Sequence, residues 1–262
     1  MRVDLHNHTY RCNHATGMPE EYILRAIDKK IDIFGFSCHA PMNYDPKFRM
    51  GYEEFKDYCI DIQRLQAKFS NQIEILLALE MDFLPNHLDL LYEDLLKAPL
   101  DYLIGSIHFL DDWGFDNPEF IGEYKKRDML ECWREYLASL KQMITTGLFQ
   151  IVGHMDLLKV FNHQPPKILE NQIQEVLEAI KKQNMALEIN ASGLRKPVKE
   201  QYPSERIIAM AFEQKVPITF GSDAHSVEHI GFGYEQVIEI AKNIGYKEAV
   251  FFRKKRMFFY DF

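Results

Sequence analysis

The sequence predicts an α/β fold in one domain, a barrel of seven strand–helix units, and three observations carry that prediction. Short apolar runs alternate with longer amphipathic stretches along the whole chain, the pattern of a parallel sheet with crossover helices. The length of 262 residues, with 47% hydrophobic composition, suits a single α/β barrel and a sizeable core. No low-complexity tract, charge block or Pro/Gly-rich linker divides the chain, so 1–262 reads as one domain.

The elements follow in order. MRVDLH at the start is the first strand, and Pro19, suited to a first helical turn, opens a helix through EEYILRAIDKK. IDIFGFSCH (31–39) is the second strand, followed by a helix over 52–69. IEILLALEMDF (73–83) and DYLIGSIHF (101–109) are the third and fourth strands, with helices over 86–97 and 122–147. FQIVGH (149–154) precedes a helix over 166–184, where Leu169, Ile173, Val176, Leu177 and Ile180 recur at three- and four-residue steps as a buried stripe. MALEINAS (185–192) and VPITFGSDAH (216–225) are the last two barrel strands, with helices over 203–215 and 233–244. The end, AVFFRKKRMFFYDF, reads as a strand or two broken by a solvated basic turn.

Composition narrows the function. A formal net charge of -8 argues against generic nucleic-acid binding, which needs basic surface to neutralise phosphates. It leaves room for a small anionic substrate, because bound metal cations make a site locally positive. No run approaches the ~20 apolar residues of a membrane span, and the N-terminus lacks a basic-then-apolar signal pattern. The expectation is a cytoplasmic protein without a membrane partner. Cys12, Cys38, Cys59 and Cys132 form no C-x-x-C pair and read as free thiols, with Cys12 and Cys38, beside histidines, as the alternative thiolate ligands.

In a barrel of this type the functional groups gather at the C-terminal ends of the strands. His6 and His8, two residues apart on a strand, point the same way as Asp4 and offer two imidazoles to one ion. His14 follows in the loop, and the later strands end in His39, in Glu80 and Asp82, in His108, in His154 and Asp156, in Asn190 and Ser192, and in Asp223 and His225. Seven of the ten histidines thus fall at one rim. His87 and His163 read as loop or cap residues. A carboxylate inside the apolar run LLALEMDF needs a cation, since an unpaired buried charge is costly, and a bridging position between two metals supplies one. Imidazole with carboxylate suits Zn, Mn or Fe rather than Ca or Mg. Two or three such ions lower the pKa of a shared water and clamp an oxyanion, which is hydrolysis by a bridging hydroxide.

DLHNHTYRCNH, SCHAP, LALEMDF, GSIH, GHMD and GSDAH, in this order over essentially the full length, resemble the motif series of the polymerase and histidinol phosphatase (PHP) superfamily. DYLIGSIHFL and NASGLRKP are most similar to its histidinol-phosphate phosphatase branch. The resemblance implies a distorted (β/α)7 barrel with three divalent transition metals, of zinc, manganese or iron. Carried over by position, His6, His8, Glu80 and Asp223 hold the first metal. Glu80 bridges to a second, shared with His108 and His154, and His14, His39 and His225 hold the third. Glu80, Asp223 and His225 are then the catalytic metal-holding groups.

The same resemblance points to cations on the substrate phosphate. Arg195 is the best match, its planar fork suiting two phosphate oxygens. Lys159, where relatives often carry Arg, and Ser106, two residues before His108, are further candidates; a surface cation and a barrel-packing hydroxyl are their plainer readings. The implied activity is hydrolysis of L-histidinol phosphate to L-histidinol and phosphate, in histidine biosynthesis. The alternative is a PHP-type phosphodiesterase or exonuclease on short nucleotides, which expects a basic, aromatic-lined groove. A non-catalytic scaffold expects eroded ligands, and here the ligand set is full.

Overall fold

A computed structural model describes residues 1–262. Seven parallel strands form the central sheet: β1 (Val3–Asp4), β2 (Ile33–Phe36), β3 (Glu74–Asp82), β4 (Tyr102–Ser106), β7 (Ile151–Val152), β8 (Ala186–Asn190) and β9 (Ile218–Gly221), hydrogen-bonded in that order. The ring closes where the chain beyond β1 meets β9. The Leu5 amide donates to the Phe220 carbonyl at 2.9 Å and the His8 amide to the Ala224 carbonyl at 2.9 Å. Closure by these few bonds, without a full ladder, makes this a distorted seven-stranded barrel.

The helices are α1 (Pro19–Asp28), α2 (Phe55–Phe69), α3 (Glu93–Lys97), α4 (Met129–Thr145), α5 (Glu170–Lys182), α6 (Glu205–Glu213) and α7 (Tyr234–Ile244). Pro19 occupies the first turn of α1, and the Asp128 side chain caps α4 by accepting from the Leu130 amide at 2.9 Å. The stripe on α5 is buried at all five positions from Leu169 to Ile180. None of these helices is long and apolar enough to cross a membrane.

Every predicted barrel strand is present, but shorter than its apolar run. The barrel ladders stop where the chain turns outward to present histidines, so SCH, HF and SDAH lie beyond them, tied to the neighbouring strand ends only by the isolated bridges His39–Glu80 and Asn7–Ala224. The helix expected over 86–97 is confined to α3, and the one expected over 122–147 starts at Met129, after a 3-10 helix over Pro118–Lys125. A small hairpin, β5 (Phe109–Leu110) with β6 (Trp113–Gly114), was not anticipated.

The barrel interior is filled from opposite sides. Tyr102 on β4 donates its hydroxyl to the Leu5 carbonyl at 2.6 Å, and Gly35 on β2 makes room: a Cβ there would lie 1.7 Å from the Tyr102 oxygen. The C-terminal segment is a hairpin, β10 (Glu248–Arg253) with β11 (Arg256–Asp261), and Lys254 and Lys255 form its turn at positive φ. It seals the N-terminal mouth of the barrel: Arg253 pairs with Glu74, the Lys254 amide bonds Asp101, and the Met1 amine bonds the Asp261 carbonyl. The opposite mouth is left to the histidines.

Candidate metal centre

Glu80, near the end of β3, is the hub of the rim. Its side chain is 1% exposed, and its two oxygens face different neighbours. Oε2 lies 3.2 Å from His6 Nε2, 3.5 Å from His8 Nε2 and 3.2 Å from His39 Nδ1. Oε1 lies 2.9 Å from His154 Nε2 and 3.7 Å from His108 Nε2, and accepts a hydrogen bond from Ser106 Oγ at 2.6 Å. Asp223, after β9, approaches His8 Nε2 at 3.1 Å and His6 Nε2 at 3.8 Å through Oδ1. Its Oδ2 accepts from Ser192 Oγ at 3.1 Å and Asn190 Nδ2 at 3.3 Å. His14 and His225 meet Nε2 to Nε2 at 2.9 Å, with the His8 and His39 rings beside them.

Several of these rings are also held from behind. His6 Nδ1 donates to Glu188 Oε1 at 2.7 Å, His108 Nδ1 donates to Asp82, and His14 Nδ1 donates to the Cys12 carbonyl at 2.8 Å. Such contacts fix the tautomer and leave Nε2 free to bind an ion.

The donor set fits divalent metals. His6 Nε2 and both nitrogens of His8 are buried without a hydrogen-bond partner, although carboxylate oxygens lie close by. Such orphaned atoms are rare in native structures and mark a missing ion or water. Metal–ligand bonds of about 2.0–2.2 Å put neighbouring ligand atoms roughly 3–3.5 Å apart, close to most of these separations. Five overlapping groups have ligand atoms within 4.8 Å of one another: His6, His8 and Asp223; His6, Glu80 and His154; His8, His39 and His225; Cys12, His14 and His225; and His8, Cys12 and Cys38.

Electrostatics divide the rim. Burial works against charge on His6 and His8, but Glu188, Glu80 and Asp223 hold His6 well above its ordinary pKa. Asp223 and Cys38 lead in raising His8 to about 9. Burial is likewise outweighed at His108, which Asp82 lifts to about 10. Burial, reinforced by neighbouring imidazoles, depresses His39 and His225 strongly and His14 less. Glu80 and Asp223 lie well below the carboxylate range, because the surrounding histidines overcome their desolvation.

The centre forms the floor of a cavity of about 710 Å³. Arg195 lines it, with Nη2 donating to the Ser222 and Asp223 carbonyls at 2.8 and 2.9 Å and Nη1 without a protein partner. Arg49, Lys47 and His229 also line it, and Asp45, Asp116 and Glu119 with Phe48, Phe109 and Phe120 make up an acidic and aromatic wall.

Two residues expected at the phosphate are not among those that line the cavity. Lys159 is fully buried, its Nζ 3.0 Å from Asp156 Oδ2 and donating to Glu200 Oε2 at 2.7 Å and the Gln201 carbonyl at 2.8 Å. Its charge is consumed by carboxylates away from the cavity. Ser106 is also fully buried, and its hydroxyl is used on Glu80.

Glu188 and Arg49 were missed as parts of the site, and Asp82, placed at the rim from the sequence, is the partner of Arg49. Arg49 Nη1 lies 2.8 Å from Asp82 Oδ2, so a cation backs the carboxylate that holds His108. For Glu188 a signal existed: it is a carboxylate inside the apolar strand MALEINAS, as Glu80 is in LALEMDF. Arg49 sits in an irregular loop and carries no such mark.

Fold and site together define a parallel barrel protein whose rim of histidines and carboxylates is suited to divalent metals. The PHP domain matches residues 4–192, and the chain belongs to that family. Asp223 and His225 lie beyond the matched residues. The chain is 37% identical to a protein of Deinococcus radiodurans named probable histidinol-phosphatase, over 96% of this chain and 97% of that one. It is 27% identical to the histidinol-phosphatase of Bacillus subtilis, over 90% and 98%. The fold is that of a histidinol phosphate phosphatase from Lactococcus lactis solved with zinc, L-histidinol and phosphate, with a TM-score of 0.85 over 98% of both chains at 23% identity.

Proposed function

We propose that this chain is a metal-dependent phosphomonoesterase that hydrolyses L-histidinol phosphate to L-histidinol and phosphate. The observation that carries this reading is the end-to-end likeness, at 37% identity, to the Deinococcus protein of that name. The cavity agrees with it. Arg195 stands beside Asp223 with an unpartnered Nη1, suited to a phosphate oxygen. The acidic and aromatic wall of Asp45, Asp116, Glu119, Phe48, Phe109 and Phe120 suits a cationic, ring-bearing alcohol and disfavours a polyanionic strand.

In this reading His6, His8, Glu80 and Asp223 hold one metal, Glu80, His108 and His154 a second, and His14, His39 and His225 a third. Metals held there would supply Lewis acidity toward phosphoryl oxygens and activate water at neutral pH. Glu80 divides its oxygens between two sets of imidazoles and would be shared by the ions they hold. Asn190 and Ser192 fix Asp223, Ser106 fixes Glu80, and Arg195 orients the phosphate and neutralises charge that develops on it. A role in histidine biosynthesis and a cytoplasmic location follow from the same reading.

The test is phosphate release by the metal-loaded protein from L-histidinol phosphate, set against a panel of monoesters and diesters. A clear preference for histidinol phosphate is expected. A preference for nucleotide diesters would replace this reading with the phosphodiesterase one.

A further inference from the structure

We propose that Glu188 is a positioning residue that locks two metal-bearing strand ends together, fixing the His6 ring and the His154 backbone with one carboxylate. The inference rests on the reading of this rim as a metal centre. It does not depend on which phosphate ester is the substrate.

Glu188 projects from β8 and is 1% exposed. Its Oε1 accepts from His6 Nδ1 at 2.7 Å, and its Oε2 accepts from the His154 backbone amide at 2.8 Å. The first contact directs His6 Nε2 toward Glu80 Oε2 and Asp223 Oδ1. The second holds His154 at φ 22°, outside the usual basins for a side-chain-bearing residue, with Nε2 beside Glu80 Oε1. One carboxylate thus governs a ligand on each side of the bridging Glu80.

The neighbourhood is built around this contact. Gly221 on β9 leaves the space: a Cβ there would lie 2.2 Å from Glu188 Oε1 and 2.6 Å from the His6 Cβ. Asp82, the corresponding partner of His108, is paired with Arg49, whereas Glu188 has no lysine or arginine partner. Its charge is directed onto His6, which makes that imidazole a stronger donor to a metal.

Both groups that meet Glu188 are hydrogen-bond donors. An amide at 188 offers one acceptor and one donor, so Glu188→Gln sets an NH2 against either His6 Nδ1–H or the His154 N–H. Outer partners of this kind typically contribute about 10–100-fold to metal affinity. His14, His39 and His225 do not touch Glu188, so the ion they hold should be indifferent to the change.

The experiment is competitive titration of metal-free wild type and Glu188→Gln with Zn²⁺ against a chromophoric chelator, with metal counting and Co²⁺ absorption spectra alongside. The variant should bind the ions on the Glu80 side about 10–100-fold more weakly and retain one ion at wild-type affinity. Superimposable isotherms would overturn the proposal. Equal weakening of every ion would also overturn it, since that marks general loosening. A wild type that binds no metal would instead defeat the metal-centre reading itself. If Glu188→Gln does not fold, ¹⁵N NMR of histidine rings in the zinc-loaded wild type decides. His6 must carry its proton on Nδ1 with Nε2 on the metal, and the opposite tautomer sinks the idea.

Discussion

Glu80 Oε1 lies 2.9 Å from His154 Nε2, and both side chains are almost wholly buried. A carboxylate and an imidazole in that position could make an ordinary buried pair. They do not stand alone, because the other oxygen of Glu80 serves three further histidines within 3.5 Å. No single proton satisfies so many inward-facing nitrogens, whereas shared cations do. The consequences can be measured.

Metal uptake should release protons. Without metal, His8 is raised to about 9 and His108 to about 10, so both rings are protonated at neutral pH. Binding through a ring nitrogen must expel that proton. Calorimetric titration with Zn²⁺ at pH 7 in buffers of different ionisation heat should reveal net proton release, and apparent affinity should rise with pH. The same shifts fix how the metal-free protein responds to base. Both folded pKa values exceed the unfolded value of about 6.5, so the stability they contribute is complete below that pH and is lost as pH rises through 9 to 10. The melting temperature of the metal-free protein should fall across that window more steeply than that of the loaded protein. Heat signals that do not depend on the buffer would count against this protonation pattern.

Glu80→Gln should reduce activity more than loss of any one of His14, His39 or His225. Its two oxygens face both sides of the centre, whereas each of those histidines serves one assigned position. A loss on the order of 10²-fold or more in kcat/KM is expected. Near-normal turnover with full metal content would refute the bridging role.

Lys159→Met should damage stability rather than substrate binding. The substitution leaves Asp156 buried without its cation, and burial already raises that carboxyl above its ordinary pKa. Removing one partner of such a pair costs about 3–5 kcal/mol. Denaturant unfolding should register the loss, while KM of the protein that remains folded should change little. A large KM increase at unchanged stability would restore Lys159 to the phosphate.

The strands and the histidines at their ends were legible because both follow simple periodicities. Apolar runs mark buried strands, and a polar residue at the end of such a run is conspicuous. Arg49 was hidden because its chain segment is irregular and nothing local ties it to Asp82, thirty-three residues on. The burial of Lys159 was only partly legible. Asp156, the acid of GHMD, is three residues away and visible, but the second carboxylate on the lysine's charge is Glu200, forty-one residues on. The β5–β6 hairpin escaped because two-residue strands carry no alternation to detect. Sequence spacing reports what one element presents; competition for a charge is decided between elements.

Arg195→Met should discriminate between classes of ester. Arg195 lines the cavity, with its guanidinium anchored through Nη2 to the Ser222 and Asp223 carbonyls and Nη1 buried without a protein partner. A phosphate monoester is a dianion whose free oxygens can accept from this group. A diester has lost one such oxygen and one negative charge to its second substituent. Loss of the guanidinium should therefore reduce kcat/KM for histidinol phosphate on the order of 10²-fold or more, and any slow diester hydrolysis by less. Metal content should persist, because Ser192 and Asn190 hold the Asp223 carboxylate independently of Arg195. The measurement is kcat/KM for histidinol phosphate and for a simple diester, in wild type and variant, with metals counted in each. Equal losses on both substrates would mean that Arg195 does not read the monoester, and loss of metal would mean that it acts through the Asp223 backbone instead.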